Sequence, residues 1–183
     1  MHTVVVGGHS RNIGKTSVVA GIIAALPQFP WTAVKITQHG HGICSASQEP
    51  CECAIDLPDC PFAIDEEQDR DGTSDTARFL NAGARRSLWV RTPQGALVTA
   101  MCAFHQAIAG ETHVIIESNS VMEFLQPDLY LFVLNPAVED FKDSARRFLP
   151  RADACIVWVP DQPACPAELT SFIRRRLESV ESV

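Results

Sequence analysis

Residues 4–17 read Val4-Val5-Val6-Gly7-Gly8-His9-Ser10-Arg11-Asn12-Ile13-Gly14-Lys15-Thr16-Ser17. The valine run is typical of a buried strand, and the two glycines that follow it predict a turn. From Lys15 to Leu26 apolar residues recur at helical spacing, and Pro27 ends the pattern. A loop between such a strand and helix directs main-chain N–H groups and the positive end of the helix dipole at an anion. The stretch from Gly8 to Ser17 therefore predicts a phosphate-binding loop.

The end of this loop has side chains suited to a nucleoside triphosphate and Mg²⁺. Gly14 lets the main chain approach the phosphates because it has no Cβ. In this motif the lysine, here Lys15, reaches the β- and γ-phosphates and acts in catalysis, and the Thr16 hydroxyl binds Mg²⁺. Ser17 is placed to contact the α-phosphate. The predicted ligands are therefore Mg²⁺ and either ATP or GTP.

The spacing within the loop is unusual. Five residues separate Gly8 from Gly14, where four is common, and His9 stands where the common pattern has glycine. This longer loop resembles that of dethiobiotin synthetase and the cobyrinic acid amide synthases, among P-loop proteins with signal-recognition-particle-like and Min-like sheets. The resemblance implies one candidate activity, that of an ATP-dependent ligase or kinase that phosphorylates a carboxylate on a small molecule.

Three later segments extend the resemblance to a second family. Residues 35–41 read KITQHGH, residues 71–84 read DGTSDTARFLNAGA, and residues 114–117 read VIIE. In this order they resemble the accessory P-loop protein of molybdopterin-guanine dinucleotide biosynthesis, protein B. That resemblance implies slow nucleotide hydrolysis in the biosynthesis or insertion of a metal cofactor, with a client metalloenzyme or biosynthetic protein as partner and a homodimer as one arrangement.

Two carboxylates are candidate catalytic residues. Glu117 ends a predicted strand beside the loop, where it can hold Mg²⁺ through water or polarise the attacking water; the alternative is that it caps the next turn. Asp75 either contacts Mg²⁺ or orients water, or it is the N-cap of a helix that begins at Thr76. Arg78 faces either phosphate or solvent. The sequence Trp158-Val159-Pro160-Asp161 lacks the Asn-Lys-x-Asp motif of guanine-specific proteins, so the nucleobase stays open.

Four cysteines fall within one polar segment and form the pattern Cys-x₆-Cys-x-Cys-x₆-Cys. Four thiolates can hold Zn²⁺ or an iron–sulfur cluster. The alternatives are a redox pair or thiols without a role. The metal interpretation favours a second function, a metallochaperone or scaffold that is switched by nucleotide. The candidate ligands are Cys44, Cys51, Cys53 and Cys60, with His39 and His41 as further candidates that could instead face the phosphates or lie on the surface.

The rest of the chain alternates between strand and helix patterns. Such alternation predicts an α/β fold of three layers, a mainly parallel sheet covered by helices on both faces. We expect a single P-loop domain over residues 1–183, with a Cys/His-rich insertion at about 38–72. The further predicted strands are 32–37, 88–91, 114–116, 129–134 and 154–159, and the further predicted helices are 76–82, 96–109, 139–148 and 167–180.

Composition excludes several classes of protein. The 183 residues have a net charge of −7, which disfavours a broad nucleic-acid footprint. No apolar run approaches the roughly 18 residues that a membrane span needs. The first residues, Met1-His2-Thr3, have no basic leader, which favours a cytoplasmic protein.

Overall fold

The computed structural model describes residues 1–40 and 61–179, and seven strands of these residues form one sheet. The strand order is β3-β4-β2-β5-β1-β6-β7. The strands are β1 (His2–Gly8), β2 (Trp31–His39), β3 (Ala63–Glu66), β4 (Arg86–Pro93), β5 (His113–Glu117), β6 (Leu129–Leu134) and β7 (Ala154–Val157). The helices are α1 (Lys15–Ala25), α2 (Asp75–Asn81), α3 (Leu97–Ala107), α4 (Asp143–Phe148) and α5 (Ala167–Glu178), and 3₁₀ turns occupy Ser120–Glu123 and Leu149–Arg151.

The sheet is parallel except at one edge, where β3 pairs antiparallel with β4. Strand β1 lies between β5 and β6, and β5 separates it from β2. Parallel pairing brings the carboxyl ends of β1, β2 and β5 to the same edge of the sheet. Ligands of open α/β sheets bind at this edge, in the crevice where neighbouring connections diverge.

Two apolar cores cover the two faces of the sheet. Val4 and Val6 of β1 belong to the core that contains α1, α2 and α5, whereas Val5 belongs to the core that contains α3 and α4. This division follows from the alternation of side chains along a strand. Because helices pack on both faces, the predicted three-layer α/β fold is confirmed.

Some element boundaries differ from the sequence predictions. The predicted helix 139–148 begins only at Asp143, because Asp140, Phe141 and Lys142 contact His9 and Ser10 of the predicted phosphate-binding loop. The predicted strand 154–159 ends at Val157, after which the chain turns towards that loop. Strand β3 has four residues, two of them acidic, and therefore carries too little apolar periodicity to be detected within the segment 38–72.

Candidate functional site

An asparagine after β5 fixes the start of the loop. The Gly8 amide donates to Asn119 Oδ1 at 2.8 Å, and Asn119 Nδ2 donates to the Gly8 carbonyl at 2.8 Å. A Cβ on Gly7 would overlap Asn119 Oδ1 and lie 2.5 Å from the Tyr130 hydroxyl oxygen. Gly7 is therefore required by close packing, and Asn119 is a residue of the candidate site that sequence reasoning missed.

His9 anchors the loop to the segment after β6. Its Nε2 accepts from the Asn135 amide at 2.9 Å, and its Nδ1 is the donor to the Asp140 carbonyl, also at 2.9 Å. The ring stacks on Phe141 with centroids 5.4 Å apart. Ser10 Oγ donates to Asp140 Oδ2 at 2.5 Å. The buried His9 side chain therefore links the loop to the segment after β6.

The second half of the loop turns sharply into α1. Asn12 and Gly14 have positive φ angles of 54° and 91°, and Gly14 is the N-cap of α1. Ile13 is fully buried and lies under the loop. The indole of Trp158 lies against Gly14 so closely that a Cβ there would overlap the ring. Glycine is therefore needed at position 14 for two reasons: its backbone is left-handed, and the Trp158 ring leaves no room for a Cβ.

The Lys15 side chain folds back over the loop that precedes α1. Its Nζ donates to the Ser10 carbonyl at 2.5 Å. Burial, opposed by the charges of Glu117 and Asp75 and assisted by those of Lys35 and Arg11, lowers the pKa of Lys15 to about 8. An ammonium ion held in this way gains by meeting an anion, because the anion replaces the water that burial removes.

A hydroxyl and a carboxylate meet at the start of α1. Thr16 Oγ1 donates to Glu117 Oε2 at 2.8 Å, and the Glu117 side chain is only 3% exposed. Both are hard oxygen donors of the kind that Mg²⁺ takes, usually from one or two side chains together with phosphate oxygens. The donor set therefore fits the magnesium ion that the sequence predicts for Thr16 and Glu117.

Lys35 joins the two candidate carboxylates. Its Nζ lies 2.5 Å from Glu117 Oε1 and 2.8 Å from Asp75 Oδ2. Lys35 and Glu117 are direct neighbours in the register of β2 and β5, and both side chains lie on the α1 face of the sheet. The two carboxylates hold the pKa of Lys35 above its usual value in spite of burial. Lys35 was only part of a family resemblance in the sequence analysis, and the structure places it in the site.

Asp75 faces this lysine and does not cap its helix. Ser74 is the N-cap of α2, and Asp75 is the first helical residue, so the N-cap alternative for Asp75 is wrong. Burial would raise the pKa of Asp75, but the Lys35 ammonium outweighs it and holds that pKa below its usual value. On the next turn of α2, Arg78 Nη2 donates to Ser17 Oγ at 3.0 Å. Helix α2 is thus tied to the first turn of α1.

A cavity of about 1170 Å³ opens over these groups. Its floor is the loop from Ser10 to Ser17 together with Lys35, Asp75 and Glu117, which brings the predicted phosphate and carboxylate residues into one space. It extends beyond them to Gln38, Gln94 and Phe124 at the ends of other elements. The cavity is therefore larger than the phosphate-binding loop alone.

Lys142 is a second, half-buried lysine at this cavity. Its amide donates to the His9 carbonyl at 2.9 Å, which holds the residue beside the loop. Burial, followed by the charges of Arg11 and Lys15, lowers the pKa of Lys142 to about 8. No local motif marks this lysine, because it is 127 residues from Lys15 in the chain (142 − 15).

The predicted cysteine cluster cannot be placed. Cys44, Cys51, Cys53, Cys60 and His41 lie outside the described residues. His39 is buried at the end of β2, and its Nε2 has no hydrogen-bond partner among the described residues. Within residues 1–40 and 61–179, no three His, Cys, Asp or Glu side chains form a group that could hold a metal ion.

The fold is that of the P-loop nucleoside triphosphatases. The predicted phosphate-binding loop joins β1 to α1, and the neighbouring parallel strand β5 ends in the acidic Glu117. The arrangement can bind a triphosphate through main-chain amides and lysines and can place a carboxylate beside it. Among the described residues, no helix has both the length and the apolar character of a membrane span.

Solved structures of two other proteins are similar to this chain. No protein-family model and no curated protein matches the chain. HypB from Helicobacter pylori, solved in complex with nickel, is similar over 97% of this chain and 87% of its own, with 11% identity and a TM-score of 0.49. LpxK from Aquifex aeolicus, solved with ATP, is similar over 89% of this chain, with 17% identity and a TM-score of 0.46. The matched region spans about half of LpxK (52%).

Proposed function

We propose that the protein binds a nucleoside triphosphate with Mg²⁺ in this cavity and hydrolyses it slowly. The observation that carries the proposal is the 2.8 Å hydrogen bond from Thr16 to Glu117 at the start of α1. The Lys15 ammonium lies over the loop that precedes this helix. A phosphate-binding loop, a hydroxyl ligand and a strand-end carboxylate are the parts that phosphoryl-transfer sites of this kind use.

Each residue then has a definite task. The loop amides and Lys15 hold the phosphates, while Thr16 and Glu117 would hold Mg²⁺, which neutralises charge on the β- and γ-phosphates when bound. Glu117 also orients the attacking water. Hydrolysis is slow because both Glu117 oxygens already accept a hydrogen bond, one from Thr16 and one from Lys35, so the attacking water competes with these groups for the carboxylate.

Thr16→Val tests the magnesium part of this proposal. The substitution keeps the shape of the side chain and removes its hydroxyl, so we expect Mg²⁺ to stop strengthening nucleotide binding. In titrations of a fluorescent ATP or GTP analogue, wild-type affinity should rise about tenfold or more when Mg²⁺ replaces EDTA, in line with a charge-assisted contact. Thr16→Ser should retain the increase. An equal increase in Thr16→Val would remove Thr16 from the metal site.

The lowered pKa values of Lys15 and Lys142 predict how nucleotide affinity depends on pH. Phosphate binds the protonated lysines, whose pKa values in the free protein are about 8, so affinity falls as pH rises through 8. By pH 9 each lysine contributes about a tenfold fall, or about a hundredfold for Lys15 and Lys142 together. Lys142→Arg keeps its charge at pH 9 and should reduce the fall to about tenfold. Identical profiles for the two proteins, measured with Mg-ATP from pH 7.5 to 9, would contradict the assignment.

A second candidate function is transfer of the γ-phosphoryl group to a small molecule. The extension of the cavity to Gln38, Gln94 and Phe124 favours it, because a ligase or kinase needs space for an acceptor beyond the nucleotide. Incubation with ATP and a panel of small carboxylic acids and alcohols would distinguish the two activities. Transfer predicts that ADP release accelerates with one acceptor and that phosphate appears on it, whereas simple hydrolysis is indifferent to the panel.

The wider role that we propose is in metal-cofactor biosynthesis or insertion, with a client metalloenzyme or biosynthetic protein. This part rests on the motif resemblance of residues 35–41 and 71–84, from which the molybdenum cofactor follows as a candidate, and on the four clustered cysteines. Zn²⁺ or an iron–sulfur cluster at those cysteines is the corresponding proposal. Elemental analysis of anaerobically prepared protein should find about one Zn or several Fe atoms per chain, and the absence of both would reject it.

A further inference from the structure

The chain after β7 presents an aromatic ring at the mouth of the phosphate-binding loop. The Trp158 amide donates to the Leu134 carbonyl at 2.7 Å, which continues the pairing of β6 with β7 and fixes where the ring starts. The indole lies against Gly14, with its Cγ 2.6 Å from the position of a Cβ there. Trp158 is half-buried and packs against the core next to α1. Its position is thus determined by the sheet and by the loop together.

The position of the ring relative to the phosphates indicates what it meets. Trp158 lines the same cavity as Gly14 and Ser17, at the end of the loop where the sequence places the α-phosphate. In the proposed triphosphate site the β- and γ-phosphates lie with Lys15 and Glu117, so the nucleoside leaves the loop from the Ser17 end, in the cavity that Trp158 also lines. The half-buried indole therefore lines the cavity where the sugar and base begin.

Resting on the proposed triphosphate site, we propose that Trp158 is the stacking platform for the nucleobase. The segment from Trp158 to Asp161 does not have the Asn-Lys-x-Asp motif that reads guanine. An indole face binds any base by stacking, and it binds a purine more strongly than a pyrimidine because the contact area is larger. The site thus accepts ATP and GTP with similar affinity, and it binds CTP and UTP more weakly.

Comparing nucleotides with inorganic tripolyphosphate separates stacking from support of the loop. Trp158→Ala should weaken ATP and GTP binding by about ten- to a hundredfold and leave Mg-tripolyphosphate binding unchanged, because tripolyphosphate has no base to stack. Trp158→Phe should keep most of the nucleotide affinity, since an aromatic face remains. Trp89→Phe is the matched control: its indole donates to Thr37 Oγ1 at 3.0 Å and does not line the cavity, so no ligand should be affected.

Three results would overturn the inference. In the first, Trp158→Ala loses tripolyphosphate and nucleotide affinity equally, so that the ring only supports Gly14. In the second, the variant loses neither. In the third, wild-type protein binds tripolyphosphate as tightly as ATP, which removes any role for the base while the triphosphate site itself stands. Failure of wild-type protein to bind either ligand would instead reject the proposed function, and the inference with it.

Discussion

Lys15→Met is expected to weaken nucleoside triphosphate binding by about a hundredfold or more, since the ammonium makes charge-assisted contacts worth about 1.5–3 kcal/mol each. In the structure Nζ lies over the loop, 2.5 Å from the Ser10 carbonyl, where it can reach two phosphates in turn. Methionine keeps the apolar stem and removes only the charge. Titration of a fluorescent nucleotide into the variant measures the loss, and equal affinity for wild type and variant would refute the loop's function.

Stability provides the control for this variant. Burial lowers the pKa of Lys15 to about 8, so the charged side chain destabilises the empty folded protein at pH 7. Lys15→Met should therefore leave the thermal midpoint unchanged or raise it, while binding is lost. A lower midpoint would indicate that the contact with Ser10 holds the loop together.

Lys142→Met should reduce nucleotide affinity only about tenfold, because Lys142 provides one charge at the side of the loop.

The phosphate-binding loop could be predicted because its parts are local. A strand, a glycine turn and a helix start are adjacent in the chain, so Gly14, Lys15 and Thr16 carry their spacing in the sequence itself. The fold class was also predictable, since alternating strand and helix patterns leave few arrangements for a parallel sheet. In both cases the information lies within one element or between neighbouring elements.

The groups around the loop were not predictable because the topology assembles them. Asn119 hydrogen-bonds a glycine 111 residues away, and His9 contacts Asp140 at a separation of 131 residues. The sequence shows that His9 replaces a common glycine. It does not show that His9 hydrogen-bonds the segment after β6, because the position of that segment is known only from the fold. Lys35 could have been found if the pairing of β2 with β5 had been known, because Lys35 lies directly beside Glu117 in that register.

Helix boundaries predicted from the local sequence were wrong where tertiary contacts determine the backbone conformation. Residues 139–142 continue a helical pattern, yet Asp140 and Lys142 are bound to the loop through His9 and Ser10. The start of α2 shows the same limit on a smaller scale. Ser74 and Asp75 are both good N-cap residues, and the ion pair with Lys35 decides which of them faces the site.

Glu117→Gln is expected to reduce nucleotide hydrolysis by about a hundred- to a thousandfold, which is within the range for loss of an acid–base group. Glutamine still accepts from Thr16, but it cannot take a proton from water, and it is a weaker ligand for Mg²⁺. Nucleotide binding without Mg²⁺ should be retained or strengthened, because a negative charge near the phosphates is removed. Single-turnover phosphate release, compared with a binding titration, separates the two effects.

Lys35 gives this prediction a second, independent readout. Glu117 is 3% exposed and Lys35 is 20% exposed, so removing Lys35 leaves the Glu117 charge in poor solvent, and removing Glu117 leaves Lys35 with Asp75 as its remaining carboxylate partner. Each of Glu117→Gln and Lys35→Met should lower the free energy of unfolding by about 2 kcal/mol, whereas the double variant should lose less than their sum, because no unpaired charge remains at this contact. A strictly additive double variant would mean that the ion pair does not couple the strands. Unchanged hydrolysis in Glu117→Gln would reduce the carboxylate to a structural tie between β5 and α1.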